Sequence, residues 1–439
     1  MLNIGFVSLG CSKNLVDTEM MIGAFKKHKF NIVNNPKQAD IIVINTCGFI
    51  ESAKQEAINT ILEMAEYKKQ KCKYLIATGC LVQRYKEELK KELPEIDLFV
   101  TCNDYEEFWK IVSKKLNLEL NNKEKIQLDF MDRVITTGDK TAYLKIAEGC
   151  SNRCTYCSIP KIRGPFVSRK MEDILEEAQK LAKEGIEEVI VIAQDTTKYG
   201  MDIYNKPMLA KLLSEISKIN SIKWIRFLYV YPETITDELI DVVKNNSKIC
   251  KYFDIPIQHI NNRILKRMNR KSDKKSIEEL IQKLKKQIPN VILRTTVIVG
   301  FPGETNEEFE ELHNFIKKAK FNKLGAFMYS KEDETPAAKL PEQIHHSTKK
   351  SRYNKIMKSQ LEISKEELEK HIGKEYEILI ESKSLNNKYY IGRTYMDVPD
   401  MDGVVFIEIE DKNVDLIGKF VKCKIISVKD YDLIGKIIK

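Results

Sequence analysis

Three apolar runs near the start of the chain each end at a cysteine, and each is followed by a helix-forming stretch. They are Ile4-Gly-Phe-Val-Ser-Leu-Gly10 before Cys11, Asp40-Ile-Ile-Val-Ile-Asn-Thr46 before Cys47, and Lys73-Tyr-Leu-Ile-Ala-Thr-Gly79 before Cys80. Short, almost continuous apolar runs are the pattern of strands buried on both faces. The helical stretches cover about Leu15–Lys27, Glu51–Gln70 and Val82–Leu93. Strand alternating with helix implies a parallel sheet with right-handed crossovers. In such a sheet the carboxyl ends of the strands line one crevice. The fold therefore gathers three cysteines at one sheet edge, although they lie 36 and 33 residues apart in sequence. Gly10, Gly48 and Gly79 beside them let backbone approach a bulky ligand. A single cysteine so placed would read as a small buried apolar residue. Three equivalent placements point to a shared ligand, which makes an iron–sulfur cluster the sharper reading. Cys72, Cys102, Cys250 and Cys423 lack this context and read as ordinary thiols.

A second cysteine set is local. Glu148-Gly-Cys-Ser-Asn-Arg-Cys-Thr-Tyr-Cys-Ser-Ile-Pro160 spaces Cys150, Cys154 and Cys157 as C-x3-C-x2-C, directly after an apolar run. Three cysteines cannot close a disulfide framework, because one is left over. A zinc site normally takes a fourth Cys or His, and none lies in this segment. Three thiolates on a four-iron cluster leave one iron open for a cofactor or substrate. The motif resembles the radical S-adenosylmethionine (SAM) superfamily, which implies that SAM takes the open iron.

From Ala142 to Ser330 six further strand-like runs alternate with charged helical stretches: Ala142–Ala147, Glu188–Gln194, Lys223–Val230, Tyr252–Gln258, Val291–Gly300 and Lys323–Tyr329. Six β/α units predict a partial barrel, open on one side, with its chemistry at the carboxyl ends of the strands. The cysteine loop follows the first of them. Gln194-Asp195-Thr196 follows the second and Gln258-His259 the fourth. Arg294 lies within the fifth, which ends at Gly300-Phe-Pro-Gly-Glu304. The superfamily resemblance implies that such a glycine turn, here Gly300, Gly303 and Glu304, lines the SAM site. On the same reading Gln194, Asp195 and Arg294 offer polar contacts and Tyr156 packs on the adenine. Asp195 and Glu304 equally suit helix capping. Arg294 equally suits a structural acid, and His259 reads better as a hydrogen-bonded strand-end residue. Thr305-Asn-Glu-Glu308 is a capping box.

The stretch between Glu332 and Lys370 is charged and helical. Beyond it five short runs, Tyr376–Glu381, Tyr389–Thr394, Val404–Glu410, Phe420–Val428 and Leu433–Ile438, predict a small barrel. Residues 371–439 hold 11 Lys or Arg against 12 Asp or Glu. A barrel built to hold RNA should be basic. The loop Met396-Asp-Val-Pro-Asp-Met-Asp-Gly403 sets three carboxylates together, either to receive a basic protein surface or as a solvated acidic loop. Over all 439 residues the net charge is +9, a weak bias that selects no partner class. The start reads as a strand rather than a signal peptide, and no apolar run approaches a membrane span. Ten cysteines then fit a reducing, cytoplasmic setting and no membrane partner.

Ser8-Leu-Gly-Cys-Ser-Lys-Asn-Leu-Val-Asp-Thr-Glu19, Asn45-Thr-Cys-Gly-Phe-Ile-Glu-Ser-Ala-Lys54 and Thr78-Gly-Cys-Leu-Val-Gln-Arg-Tyr85 resemble the N-terminal domain of methylthiotransferases. Ala193-Gln-Asp-Thr-Thr-Lys-Tyr-Gly200, Asp254-Ile-Pro-Ile-Gln-His259 and Asp397-Val-Pro-Asp-Met-Asp-Gly403 resemble the branch that modifies an aspartate of small-subunit ribosomal protein S-twelve. Ile260-Asn-Asn262 departs from the small residues usual there. The resemblance implies an α/β protein in three parts. Residues 1–130 would hold an auxiliary cluster on Cys11, Cys47 and Cys80. Residues 136–370 would form the radical SAM domain with its linker helix, and residues 371–439 a TRAM-like five-stranded barrel. It implies two 4Fe-4S clusters and SAM as cofactors, with no certain catalytic side chain. A reductant such as flavodoxin or ferredoxin would serve as electron donor. The other branch, which modifies isopentenyl-adenosine in tRNA, is the nearest rival. A non-catalytic two-cluster electron carrier and a zinc-dependent RNA-binding protein are rivals of other classes.

Overall fold

The computed structural model describes residues 2–118, 127–411 and 413–438. The N-terminal part is a five-stranded parallel sheet of β1 (Asn3–Ser8), β2 (Asn31–Ile32), β3 (Ile41–Thr46), β4 (Tyr74–Gly79) and β5 (Leu98–Val100), in spatial order β2-β1-β3-β4-β5. Helices α1 (Ser12–Lys27), α2 (Glu51–Ala65), α3 (Cys80–Glu92) and α4 (Phe108–Lys115) cover it. Every residue of β3 is buried, as its unbroken apolar run requires. Register aligns the carboxyl ends, with Ser8 opposite Asn45 and Thr46 opposite Gly79. Cys11, Cys47 and Cys80 thus leave one edge together. The short strand β5, absent from the sequence expectation, ends at that edge too, two residues before Cys102.

The central part starts with β6 (Thr141–Lys145) and the small antiparallel pair β7 (Ala147–Glu148) and β8 (Val167–Ser168), which flank the cysteine loop and α5 (Ile159–Arg163). Then follow α6 (Met171–Lys183), β9 (Glu188–Ile192), α7 (Leu209–Ser217), β10 (Trp224–Phe227), α8 (Asp237–Asn245), β11 (Tyr252–Asp254), α9 (Asn262–Arg267), α10 (Lys274–Gln287), β12 (Ile292–Val299), α11 (Asn306–Ala319) and β13 (Lys323–Met328). Strands β6, β9 and β10 form one parallel sheet and β11, β12 and β13 another. An isolated bridge from Ile225 to Ile249 continues one into the other. This is the expected six-stranded partial barrel. Alternation along the strands splits its residues between two cores. Ala142, Leu144, Val189 and Val191 pack under the helices, while Tyr143, Ile190, Trp224, Tyr252 and Ile292 face inward. The capping box at the start of α11 forms as expected, with Glu308 N donating to Thr305 Oγ1 at 3.3 Å and Thr305 N to the Glu308 carboxylate at 2.9 Å.

Helix α12 (His346–Glu369) leads to a closed barrel of β14 (Glu375–Lys383), β15 (Tyr389–Arg393), β16 (Val405–Glu408), β17 (Phe420–Lys429) and β18 (Asp432–Ile437), in order β14-β15-β16-β18-β17. Its residues Ile378, Ile380, Tyr390 and Ile407 share a core with the inward residues of the partial barrel. A buried ion cluster fastens the two. Glu188 meets Arg226 Nε at 2.5 Å and Arg393 Nη2 at 2.6 Å, and Arg226 also donates to the Thr394 and Tyr395 carbonyls.

This docking overturns one expectation. The acidic loop is not a free surface for a basic partner. Asp397 takes Lys323 Nζ at 2.7 Å, and Asp402 takes Tyr252 Oη at 2.7 Å. Only Asp400 of the three is exposed. The partners lie over 70 residues away, out of reach of local sequence reading. Among the described residues no helix is long and apolar enough to cross a membrane.

Candidate functional site

The first cysteine set sits where two helix N-termini meet a tightly packed sheet edge. Cys11 is the N-cap of α1 and Cys80 opens α3. Packing around the set leaves room for little but glycine. A Cβ on Gly10 would lie 2.9 Å from Cys47 Sγ, and one on Gly48 would lie 2.7 Å from Leu81. Asn14 ties the loops together, its Nδ2 donating to the Leu9 carbonyl at 3.0 Å and the Thr46 carbonyl at 3.1 Å.

The thiols feel one another. Burial, followed by the neighbouring Cys80 and Cys11, pushes the Cys47 thiol up to about 11. Cys80 goes the other way, down to about 6, through a hydrogen bond from Cys102 and the nearby Arg163 guanidinium. Cys102, which sequence reading set aside as an ordinary thiol, is therefore a neighbour of this set. A strand of three residues before it was too short to signal that it ends at the same edge.

The second set hangs between β7 and α5. Gly149 takes φ +69, and a Cβ there would run into the carbonyls of Pro165 and Gly164. Cys150 and Cys154 are buried and Cys157 half-buried. Burial, then Cys154, pushes the Cys157 thiol up to about 12. Arg270 points its Nη1 at Cys154 Sγ, 3.9 Å away, and lies over the Tyr231 ring at 4.2 Å.

Both donor sets fit iron–sulfur clusters. Burial raises the Cys47 and Cys157 thiols, and a cationic iron core would remove that penalty by binding thiolates. Among the described residues no three Cys, His, Asp or Glu side chains gather around a single-ion site. Thiols of a cluster need no such convergence, since each takes its own iron.

One side chain joins the two sets. Arg163, six residues past Cys157, reaches across to the N-terminal sheet edge. Its Nη1 meets Asp17 at 2.7 Å, and its Nη2 meets Asn14 Oδ1 at 2.5 Å and Cys80 Sγ at 3.5 Å. Lys145 joins Asp17 from β6 and also meets Glu148 at 2.9 Å. A second latch ties the N-terminal part to the segment after β13. Arg84 on α3 donates to the Gly48 carbonyl at 2.6 Å and pairs with buried Glu332 at 3.0 Å, and Lys54 meets Glu332 at 3.3 Å.

The residues expected around SAM are brought to the mouth with different duties. Asp195 is buried and takes Asn152 Nδ2 at 2.8 Å and Thr197 Oγ1 at 2.6 Å, so it braces the cysteine loop. Gln194 donates to Glu148 at 3.2 Å, while its buried Oε1 has no partner in the chain. Tyr156 packs beside Phe301 of the glycine turn, with Ile264 and Met268. Glu304 accepts from Gly300 N at 2.6 Å and Phe301 N at 3.0 Å and pairs with Arg352 at 3.1 Å. It therefore holds the turn from within, its carboxyl pushed up to about 7 by burial. Gly303 backs onto Arg267 and Glu342, and Gly300 onto Lys349. Arg294 lies deeper than a strand end and is held by Asp254 at 2.9 Å, with Asp402 at 3.7 Å. His259 is buried and accepts from Asn261 N at 3.0 Å, and burial lowers it to about 4, so it stays neutral.

Family models match three stretches: the radical SAM superfamily over residues 144–316, the uncharacterized protein family UPF0004 over residues 3–101, and the TRAM domain over residues 372–438. The chain is 62% identical to the ribosomal protein uS12 methylthiotransferase RimO of Alkaliphilus oremlandii, covering 99% of each. It is 53% identical to the protein of the same name from Caldicellulosiruptor saccharolyticus, covering 100% of each. Among solved structures the fold is similar to TsrM, a radical S-adenosylmethionine methyltransferase from Kitasatospora setae solved with cobalamin and an iron–sulfur cluster. The TM-score is 0.57 at 12% identity, over 76% of this chain and 77% of that one.

Proposed function

Because this chain belongs to the ribosomal protein uS12 methylthiotransferase family, we propose that it installs a methylthio group on the β-carbon of an aspartate in uS12. On this reading residues 1–130 carry the auxiliary cluster on Cys11, Cys47 and Cys80. Residues 136–370 carry the SAM-binding cluster on Cys150, Cys154 and Cys157, and residues 371–439 form the accessory barrel. When bound, SAM and a reduced cluster supply hydrogen abstraction from an unactivated carbon, and the auxiliary cluster and a second SAM supply the methylthio group.

The chain's own residues aim and enclose. Asp195 and Asn152 fix the loop between Cys150 and Cys154. Gln194 Oε1, buried and without a partner in the chain, and the Tyr156 ring beside the glycine turn are the groups that would meet SAM. The latch of Arg84, Lys54 and Glu332 keeps water from the cleft. The observation that carries the reading is Arg163, which leaves the second cysteine loop and touches Cys80 of the first set at 3.5 Å. Two thiol sets on one cleft suit a substrate carbon that must meet both. The working setting is the reducing cytoplasm, with a small flavodoxin- or ferredoxin-type electron donor.

The test is anaerobic incubation of the reconstituted enzyme with SAM, a reductant and, in parallel, uS12 and unmodified tRNA. Mass spectrometry should find a methylthio adduct on a uS12 aspartate, lost in both Cys11→Ala and Cys150→Ala. An adduct on adenosine instead would overturn the substrate assignment.

A further inference from the structure

We propose that Lys13 is the cation that receives the side-chain carboxylate of the substrate aspartate. This rests on the reading that the substrate is an aspartate. The first observation is an ammonium group with no acid at ion-pair distance. Lys13 is 8% exposed, and its Nζ lies 3.4 Å from the centroid of the Tyr229 ring, at the carboxyl end of β10. Among the described residues it forms no ion pair. A buried charge is costly unless paired. A ring face offsets only part of that cost.

The second observation is where the charge sits. Lys13 is in the first turn of α1, where the helix dipole disfavours a cation. Helix stability does not account for a lysine there. Its partner is also strained. Tyr229 takes φ +60, a left-handed conformation rare for a bulky residue and common at functional sites.

The third is that the other cations of the cleft are engaged. Arg163 holds Asp17 and Asn14, Arg84 holds Glu332, and Arg294 holds Asp254. Asp254, the nearest acid to act on Lys13, is beyond ion-pair distance of it and also accepts from Tyr229 N at 3.1 Å. Arg270 lacks an acid too, but its Nη1 faces Cys154, on the side of the other cysteine set.

Chemistry sets the fourth. Lys13 is two residues from Cys11, in the helix turn that the first set caps, and it reaches Tyr229 at the end of β10. In aspartate the β-carbon is bonded directly to the carboxyl carbon. A carboxylate held by Lys13 therefore places the β-carbon beside the Cys11 loop. An asparagine or an adenosine offers this site no charge.

The test is a double cycle on holoenzyme binding. Dissociation constants are measured for uS12 and for uS12 with asparagine at the modified position, on wild type, Lys13→Met and Lys13→Arg. Methionine keeps the stem over Tyr229 and removes the charge. Wild type should prefer the aspartate form by at least about thirtyfold. Lys13→Met should bind both forms equally, and Lys13→Arg should keep most of the preference. A preference that survives in Lys13→Met overturns the proposal alone. Loss of the Cys11, Cys47 and Cys80 iron in Lys13→Met also overturns it, making Lys13 a counter-ion of the cluster. Absence of any preference in wild type overturns the aspartate reading, and this proposal with it.

Discussion

Replacing Arg163 by methionine should uncouple the two halves of the reaction. The guanidinium makes two short charge-assisted contacts, to Asp17 at 2.7 Å and Asn14 at 2.5 Å, and a longer one to Cys80 at 3.5 Å. Hydrogen bonds to charged groups contribute about 1.5–3 kcal/mol each. Asp17 keeps Lys145, so no buried charge is left bare. The lower end of the sum applies, about 3 kcal/mol for closing the cleft. That is about a hundredfold in the closed-to-open ratio. Methionine fills much of the same volume, so the barrel core is preserved. The assay compares 5′-deoxyadenosine released with methylthio product formed. The variant should still cleave SAM while product per cleavage falls by about a hundredfold. Arg163→Lys should fall between. A methionine variant that keeps its product ratio within about twofold of wild type would refute the reasoning.

Three more outcomes follow from the geometry. Glu188 is buried, which by itself raises a carboxyl, but Arg393 and Arg226 hold it down at about 2. A depressed carboxyl stabilises above its unfolded pKa and loses that contribution as pH falls toward the folded value. The attachment of the C-terminal barrel should therefore weaken by about 3 kcal/mol between pH 4.5 and 2, seen as amide exchange in β14 to β18, and Glu188→Gln should flatten that window. Gly149→Ala forces a Cβ into the Pro165 and Gly164 carbonyls at a positive φ. It should halve the iron bound per chain and abolish SAM cleavage, whereas retained iron would contradict the packing argument. Cys102 neighbours Cys80 and lowers its pKa, and a polar group beside a ligand sulfur raises a cluster's potential. Cys102→Ala should lower the potential of the auxiliary cluster in a redox titration and leave the other unchanged.

Much of this was legible because the informative segments are local. Unbroken apolar runs before Cys11, Cys47 and Cys80 make buried strands, and parallel pairing then fixes one shared edge. The C-x3-C-x2-C loop carries its own spacing. What escaped was long-range. Leu98–Val100 is too short to announce itself, so Cys102 seemed unremarkable. Asp397 and Asp402 looked like a free acidic loop because Lys323 and Tyr252 are distant in sequence. Arg163 was one of 73 basic residues, with nothing local to mark it as the bridge between the sets. Arg294 looked available for SAM because the strand register that sets Asp254 beside it was not visible.

The central claim is that both thiol sets face one cleft. Electron paramagnetic resonance of the fully reconstituted, reduced enzyme tests it against the single-cluster forms Cys11→Ala and Cys150→Ala. Clusters across one cleft couple magnetically, so the double spectrum should be split, with faster relaxation than either alone. A double spectrum equal to the sum of the two single ones would contradict the account.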